Sequence, residues 1–209
     1  MELQQLLSGF KEQLRSLLVE EGFVAYTAVL VVPLQPHVVG CVELLVEANP
    51  TENRVEVDVA IGVHHQQVER ILADLKGQPY QQYSPFTVGV QIGYLMPGKS
   101  HVLYLLHSSS DVARVAEHVA ADVRSLGRPF MASSTSLASI AEFMKARPAR
   151  VPATSVAYRL PIVLHLMGDT KAALECDLHY LEKLASGADV WAAQYRQFGQ
   201  ALKAYLGCK

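Results

Sequence analysis

The sequence predicts an α+β protein, in which an N-terminal antiparallel sheet of about five strands packs with helices and a C-terminal helical array follows. Three observations support this class. Leucine residues recur at helical spacing at the start of the chain. Valine-rich segments separated by turn residues then extend to His107, and from Ser108 onward the strand pattern gives way to helical spacing alone.

The first helix should be amphipathic and should end near Gly22, a residue suited to a C-terminal cap. Three strands are expected next as an antiparallel meander, because valine-rich runs alternate with turn chemistry. These runs are FVAYTAVLVV, HVVGCVELLVEA and NRVEVDVAIGV. A helix over HHQQVERILADLKG and two strands, over FTVGVQIGYLM and HVLYLLH, complete the predicted sheet region.

The C-terminal half should be helical, since a capping serine cluster opens it and glycines punctuate the apolar stripes that follow. The predicted helices are SSSDVARVAEHVAADVRSLG, SLASIAEFMKA, ATSVAYRLPIVLHLMG, DTKAALECDLHYLEKLASG and DVWAAQYRQFGQALKAYLG. Pro148 and Pro152 mark a joint between two parts. We therefore predict a sheet domain over residues 1–147 and helical hairpins over residues 153–209, and we expect the two to pack as one unit.

The composition of the chain narrows its class. Half of the 209 residues are hydrophobic, 18% are charged and the formal net charge is −2, so a dense core is expected and nucleic-acid binding is not. The three cysteines form no C-x-x-C pair, which favours free thiols in a reducing compartment. Neither a signal peptide nor an apolar run long enough for a membrane span is found. These features predict a cytoplasmic protein that binds no membrane and no cofactor.

Catalytic motifs are missing from the sequence. The chain contains no G-x-S-x-G, G-x-G-x-x-G, Walker-type or H-E-x-x-H pattern. MPGKS lacks the upstream glycine of a phosphate loop and reads as a hairpin turn. The stretch HSSSD holds the residue types of a catalytic triad, but serines at the start of a helix are explained by capping. We therefore expect the protein not to be an enzyme.

One set of side chains could approach a metal ion. Cys176 and His179 are three residues apart on a predicted helix, and His165 lies on the preceding one. Three mixed ligands without a recognised spacing are a weak signal, so packing residues on a helical hairpin are the better interpretation. We expect no metal site.

Acidic residues gather on two adjacent predicted strands. Glu43 and Glu47 share a face of the second strand, and Glu56 and Asp58 share a face of the third. If the turn at residues 48–53 pairs these strands, like charges can lie side by side at some cost in stability. Such a patch suits a basic partner, although an ordinary outward-facing surface is the simpler alternative.

The order of elements resembles that of bacterial immunity proteins, the cytosolic antidotes encoded beside secreted toxins, including those of type VI secretion systems. EEGF at the end of the first helix and LMGDTKAALE in the helical hairpin are the residues that carry the resemblance. It implies stoichiometric inhibition of a cognate toxin. A nuclease toxin would carry basic residues for phosphate, so Glu43, Glu47, Glu56 and Asp58 are the predicted partner-binding residues.

Two other functions remain open from the sequence. The segment 164–185 is similar to one hairpin of a tetratricopeptide-type scaffold, which suits a helical adaptor, but the 34-residue recurrence of that family is missing. A fragment starting near Thr154 should then bind a protein on its own. The second alternative is a small-ligand-binding or enzymatic α+β domain, for which stabilisation by a metal or metabolite would be expected.

Overall fold

The computed structural model describes residues 3–83, 85–146, 152–185 and 190–207. In these ranges an antiparallel sheet occupies the N-terminal half and a helical array follows, which confirms the predicted α+β class. The strands are β1 (Val24–Tyr26), β2 (Val29–Gln35), β3 (Val38–Asn49), β4 (Arg54–His65), β5 (Val88–Gln91) and β6 (Tyr104–Leu106). The helices are α1 (Leu3–Glu20), α2 (Gln66–Leu75), α3 (Ser109–Asp122), α4 (Arg128–Ser133), α5 (Leu137–Ala146), α6 (Ala153–Leu166), α7 (Thr170–Ala185) and α8 (Val190–Tyr205).

The sheet has the strand order β1-β2-β3-β4-β5, and β6 also pairs with β4. β1 and β2 are antiparallel, as are β2 and β3, so that Val31 lies opposite both Val24 and Cys41. β6 runs antiparallel to β4, with Leu105 opposite Glu56. The two 12-residue strands β3 and β4 therefore form the middle of the sheet.

Contacts divide the chain into two compact units, each assembled from two segments. The first comprises Met1–His64 with Gly89–Ser133, and the second comprises His65–Val88 with Ser134–Lys209. The predicted joint at Pro148 falls on residues 147–151, which lie outside the described residues. The boundary between a domain over residues 1–147 and one over residues 153–209 therefore stays a prediction.

The first unit buries one face of its sheet along β4, and it buries both faces where consecutive residues of β2, β3 and β4 are covered. Alternate residues of β4 are fully buried, as the sequence pattern predicts: Val55, Val57, Val59 and Ile61. Helix α1 packs on α3 and contributes one buried residue per turn: Leu6, Phe10, Leu14 and Leu18. Gly40 of β3 leaves room for the thioether of Met131 on α4, since a side chain at this position would collide with the sulfur.

The second unit is organised around α6, which contacts α2, α5 and α7. This helix is apolar on nearly every side, and its residues from Val156 to Leu164 are all buried. It ends at Leu166, and Gly168 follows with a φ of +88° that suits glycine. The Asp169 carboxylate then accepts a hydrogen bond from the Ala172 backbone N–H (2.9 Å) at the start of α7. The predicted helical hairpin is thus formed.

The structure corrects the sequence prediction at three elements. The predicted strand FVAYTAVLVV is two strands, because the chain reverses at Thr27, whose φ is +48°. The predicted strand FTVGVQIGYLM is strand only over β5 and then forms a 3₁₀ turn, Ile92–Leu95. Helix α4 was not predicted, and the last turn of the predicted helix that ends at Gly127 is π-helical over Val123–Gly127.

Candidate functional site

The structure brings the four predicted partner-binding carboxylates to one face of the sheet. Alternation along β3 places Glu43 and Glu47 on the same side as Asn49, and alternation along β4 groups Glu56 with Asp58. The Asn49 side-chain amide donates a hydrogen bond to Oε1 of Glu56 (3.0 Å). The carboxylates of β3 and those of β4 therefore lie on the same side of the sheet. This is the side opposite the buried valines of β4.

We call this surface the acidic face and define it by Glu43, Leu45, Glu47, Glu56 and Asp58. Two of its carboxylates have side-chain partners within the chain. Arg54 forms an ion pair with Glu56 (2.7 Å), and together with the Asn49 hydrogen bond it lowers the pKa of Glu56. The imidazole of His101 lies 3.0 Å from Oδ2 of Asp58. The ion pair with Arg54 offsets the repulsion expected between the strands at Glu56.

The other two carboxylates form no ion pair or side-chain hydrogen bond with any residue in the described ranges. Glu47 is exposed and Glu43 is partly exposed, and Leu45 between them is 50% exposed. The cross-strand register places Tyr26 in the same row as Glu43, through Val29 of β2. Tyr26 and Val24 of β1 are 41% and 60% exposed. Unpaired carboxylates and exposed apolar side chains thus share one surface.

The stretch HSSSD is explained by helix capping. The Asp111 carboxylate accepts hydrogen bonds from the backbone N–H groups of His107 and Ser108, both at 3.0 Å, and Arg114 also donates to it at 2.6 Å. These donors hold the pKa of Asp111 at about 2. The residues therefore fix the start of α3.

The three residues considered for a metal site make other contacts. His165 lies 3.0 Å from the Thr170 hydroxyl, and His179 packs its ring edge against Tyr180. Burial raises the pKa of the Cys176 thiol to about 11. Among the residues that the structure describes, no group of three or more His, Cys, Asp or Glu side chains could hold a metal ion.

Cysteine reactivity provides a test of the packing. Cys41 and Cys176 are free thiols, and burial raises the pKa of Cys41 to about 12. We expect iodoacetamide to leave Cys41 unmodified in the folded protein at neutral pH and to label Cys176 slowly, with both labelled in urea. Peptide mass mapping over time measures the two rates. Labelling of Cys41 in the folded protein as fast as in urea would contradict the buried position of β3.

The sequence did not indicate the buried ion pair of the second unit. Arg159 of α6 binds Glu69 of α2 through two hydrogen bonds, at 2.7 Å from Nε and 2.9 Å from Nη2, and both side chains are buried. The Thr87 hydroxyl donates to Glu69 (2.8 Å), and Arg159 also donates to the Ser155 hydroxyl (2.9 Å). An arginine within the apolar segment SVAYRLPIV was the signal that could have revealed this pair.

The same unit contains a cavity of about 600 Å³. Residues of α2, of the loop that follows it and of the first turns of α6 and α8 line it. Its charged and aromatic lining residues are Glu69, Lys76, Tyr80, Tyr158, Arg159 and Trp191. A volume of this size is typical of small-ligand sites.

Comparisons of the chain with protein-family models, with curated proteins and with solved structures find no match. In the described ranges no helix is long and apolar enough to cross a membrane. Among the described residues, the acidic face and the cavity are the features from which we infer a function.

Proposed function

We propose that this protein is an immunity protein, which binds and neutralises a cognate secreted toxin by stoichiometric protein–protein inhibition without catalysis or a cofactor. The toxin would be a protein with a basic surface, and a nuclease is one class that requires such a surface. The observation that carries the proposal is the pair Glu43 and Glu47, which lie on either side of the exposed Leu45 without an ion-pair partner in the described chain.

The acidic face and strand β1 of the same sheet together have the two kinds of contact that a protein partner requires. The unpaired carboxylates would speed association with a basic surface, because complementary charge steers the encounter of two proteins. Leu45, Tyr26 and Val24 would supply the apolar area from which most of the affinity derives, and tyrosine is enriched among the residues that dominate binding energy. The carboxylates would therefore select a basic partner, and the apolar residues would supply most of the binding free energy.

The contacts within the acidic face favour two of its four carboxylates, Glu43 and Glu47, as binding residues in this proposal. Glu56 and Asp58 are already paired with Arg54 and His101, so a partner could use them only by displacing those contacts. Glu43 and Glu47 need no such exchange. We therefore propose that these two residues form the direct charge contacts and that the other two lie at the margin of the interface.

A capture experiment with matched variants tests this function. The tagged protein would be used to isolate a partner from its native source, in parallel with Glu43→Lys/Glu47→Lys and with a control, Glu117→Lys/Glu142→Lys. The control makes the same charge change at exposed positions on α3 and α5. The identified partner would then be expressed alone and together with each form of the protein, and cell growth recorded.

We expect the partner to arrest growth when it is expressed alone. The wild-type and control proteins should restore growth, and the reversal at Glu43 and Glu47 should not. A captured protein that is harmless when expressed alone would contradict the immunity function. Equal rescue by both double variants would contradict the role of the acidic face while leaving the immunity function in place.

A further inference from the structure

The cavity of the second unit is lined by two cations and one carboxylate. The charges of Glu69 and Arg159 compensate each other, because the two groups are joined by paired hydrogen bonds. Lys76, one residue beyond the end of α2, forms no ion pair within the described part of the chain. The cavity therefore carries one uncompensated positive charge, which belongs to Lys76.

The position of this ammonium group is fixed by an aromatic ring. Nζ of Lys76 lies 4.6 Å from the centre of the Tyr158 ring, a cation–π distance. Tyr158 is itself held in place, since its ring packs against Tyr195 and Phe198 at centroid distances of 5.2 and 4.9 Å. Partial desolvation, followed by the charge of Arg159, lowers the pKa of Lys76. An anion beside Lys76 would favour its charged form.

Aromatic surfaces line other parts of the same cavity. Tyr80 lines it from the loop after α2 and is steadied by the Arg70 guanidinium, which lies 5.1 Å from its ring centre. Trp191 lines it from α8 and is 56% exposed. An exposed tryptophan at the edge of a concave, partly aromatic site is available to cover a flat ligand.

We propose that this cavity binds a small organic anion, whose acidic group pairs with Lys76 and whose flat apolar body lies against Tyr158 and Trp191. The proposal goes beyond toxin binding and does not depend on it, since the acidic face belongs to the first unit and the cavity to the second. A carboxylate on an aromatic skeleton is the simplest ligand with both features.

The single tryptophan of the chain reports directly on this site. Phenylpropionate would be titrated into the full-length protein while Trp191 fluorescence is recorded. Phenylpropionamide, which has the same shape but no charge, would be titrated as the control ligand. Both titrations would be repeated on Lys76→Met, which keeps the aliphatic stem without the charge, and on Lys171→Met. Lys171 is a control on α7 whose side chain is 88% exposed.

We expect phenylpropionate to give a saturable change in Trp191 fluorescence and to bind at least about tenfold more tightly than the amide, since a hydrogen bond to a charged group is among the stronger ones. Lys76→Met should abolish this preference, and Lys171→Met should retain it. A circular dichroism spectrum equal to that of the wild type would show that Lys76→Met is folded.

Three results would overturn the proposal. One is the lack of a saturable response to phenylpropionate, and another is equal affinity for the acid and the amide. The third is an equal loss of preference in both lysine variants, which would indicate a general charge effect. Growth rescue by the protein is a separate measurement, so failure of the ligand site and failure of the immunity function can be distinguished.

Discussion

Arg159→Met is expected to destabilise the second unit by about 3–5 kcal/mol, because it leaves the Glu69 carboxylate buried without its partner. Glu69 would lose the two hydrogen bonds that Arg159 donates and would keep only the one from Thr87. Urea unfolding followed by Trp191 fluorescence measures the effect on this unit, since the only tryptophan lies on α8.

Two further variants separate the ion pair from simple loss of a side chain. Glu69→Leu/Arg159→Met removes both charges and should recover much of the stability, because an apolar pair leaves no buried charge without a partner. Arg196→Met on α8 is the control, since that arginine is exposed. A loss below about 1 kcal/mol for Arg159→Met, the range of a surface ion pair, would contradict the buried geometry.

Asp177→Asn is expected to stabilise the second unit by about 2 kcal/mol at neutral pH. Asp177 of α7 is fully buried, and neither of its carboxylate oxygens accepts a hydrogen bond within the described ranges. The nearby Tyr195 hydroxyl donates instead to the carbonyl oxygen of Ala157 (3.1 Å). Burial raises the pKa of Asp177 above its ordinary value of 3.8, and the charge of Lys203 and the proximity of the Tyr195 hydroxyl oppose part of that rise.

The pH dependence of stability should follow from this raised pKa. Between 3.8 and the folded-state value, the folded protein keeps a proton that the unfolded chain releases, so stability falls as pH rises through this window. Above the window the loss is complete and constant. Asp177→Asn should remove this fall, whereas Asp74→Asn, a control at an exposed position on α2, should retain it. Parallel pH profiles for wild type and Asp177→Asn would contradict this account.

The fold class could be predicted from the sequence because local periodicity determines it. β4 alternates valine with polar residues and α1 repeats leucine at helical spacing, and both patterns report burial directly. The turn at Thr27 could not be predicted in this way. It lies within a run of β-forming residues and requires a positive φ, which the register of β1 on β2 imposes.

The candidate sites show the same difference between local and long-range information. Alternation in the sequence predicted that Glu43 and Glu47 share one side of their strand and that Glu56 and Asp58 share one side of theirs. The structure has the same arrangement. Their ion pairs were less accessible to prediction, since His101 reaches Asp58 from 43 residues away in sequence. Glu69 and Arg159 are 90 residues apart, so their pairing depends on the packing of α2 against α6. The periodicity of the sequence does not indicate which helices pack together.

The affinity of the purified protein for its captured partner is the most direct test of toxin binding through the acidic face. Isothermal titration would compare the wild type, Glu43→Lys/Glu47→Lys and the control Glu117→Lys/Glu142→Lys at low and high salt. We expect the reversal at Glu43 and Glu47 to weaken binding at least about a hundredfold at low salt, and less at high salt, because charge contacts are screened. The control should bind within about threefold of the wild type. Wild-type affinity in the Glu43→Lys/Glu47→Lys variant would contradict binding through the acidic face.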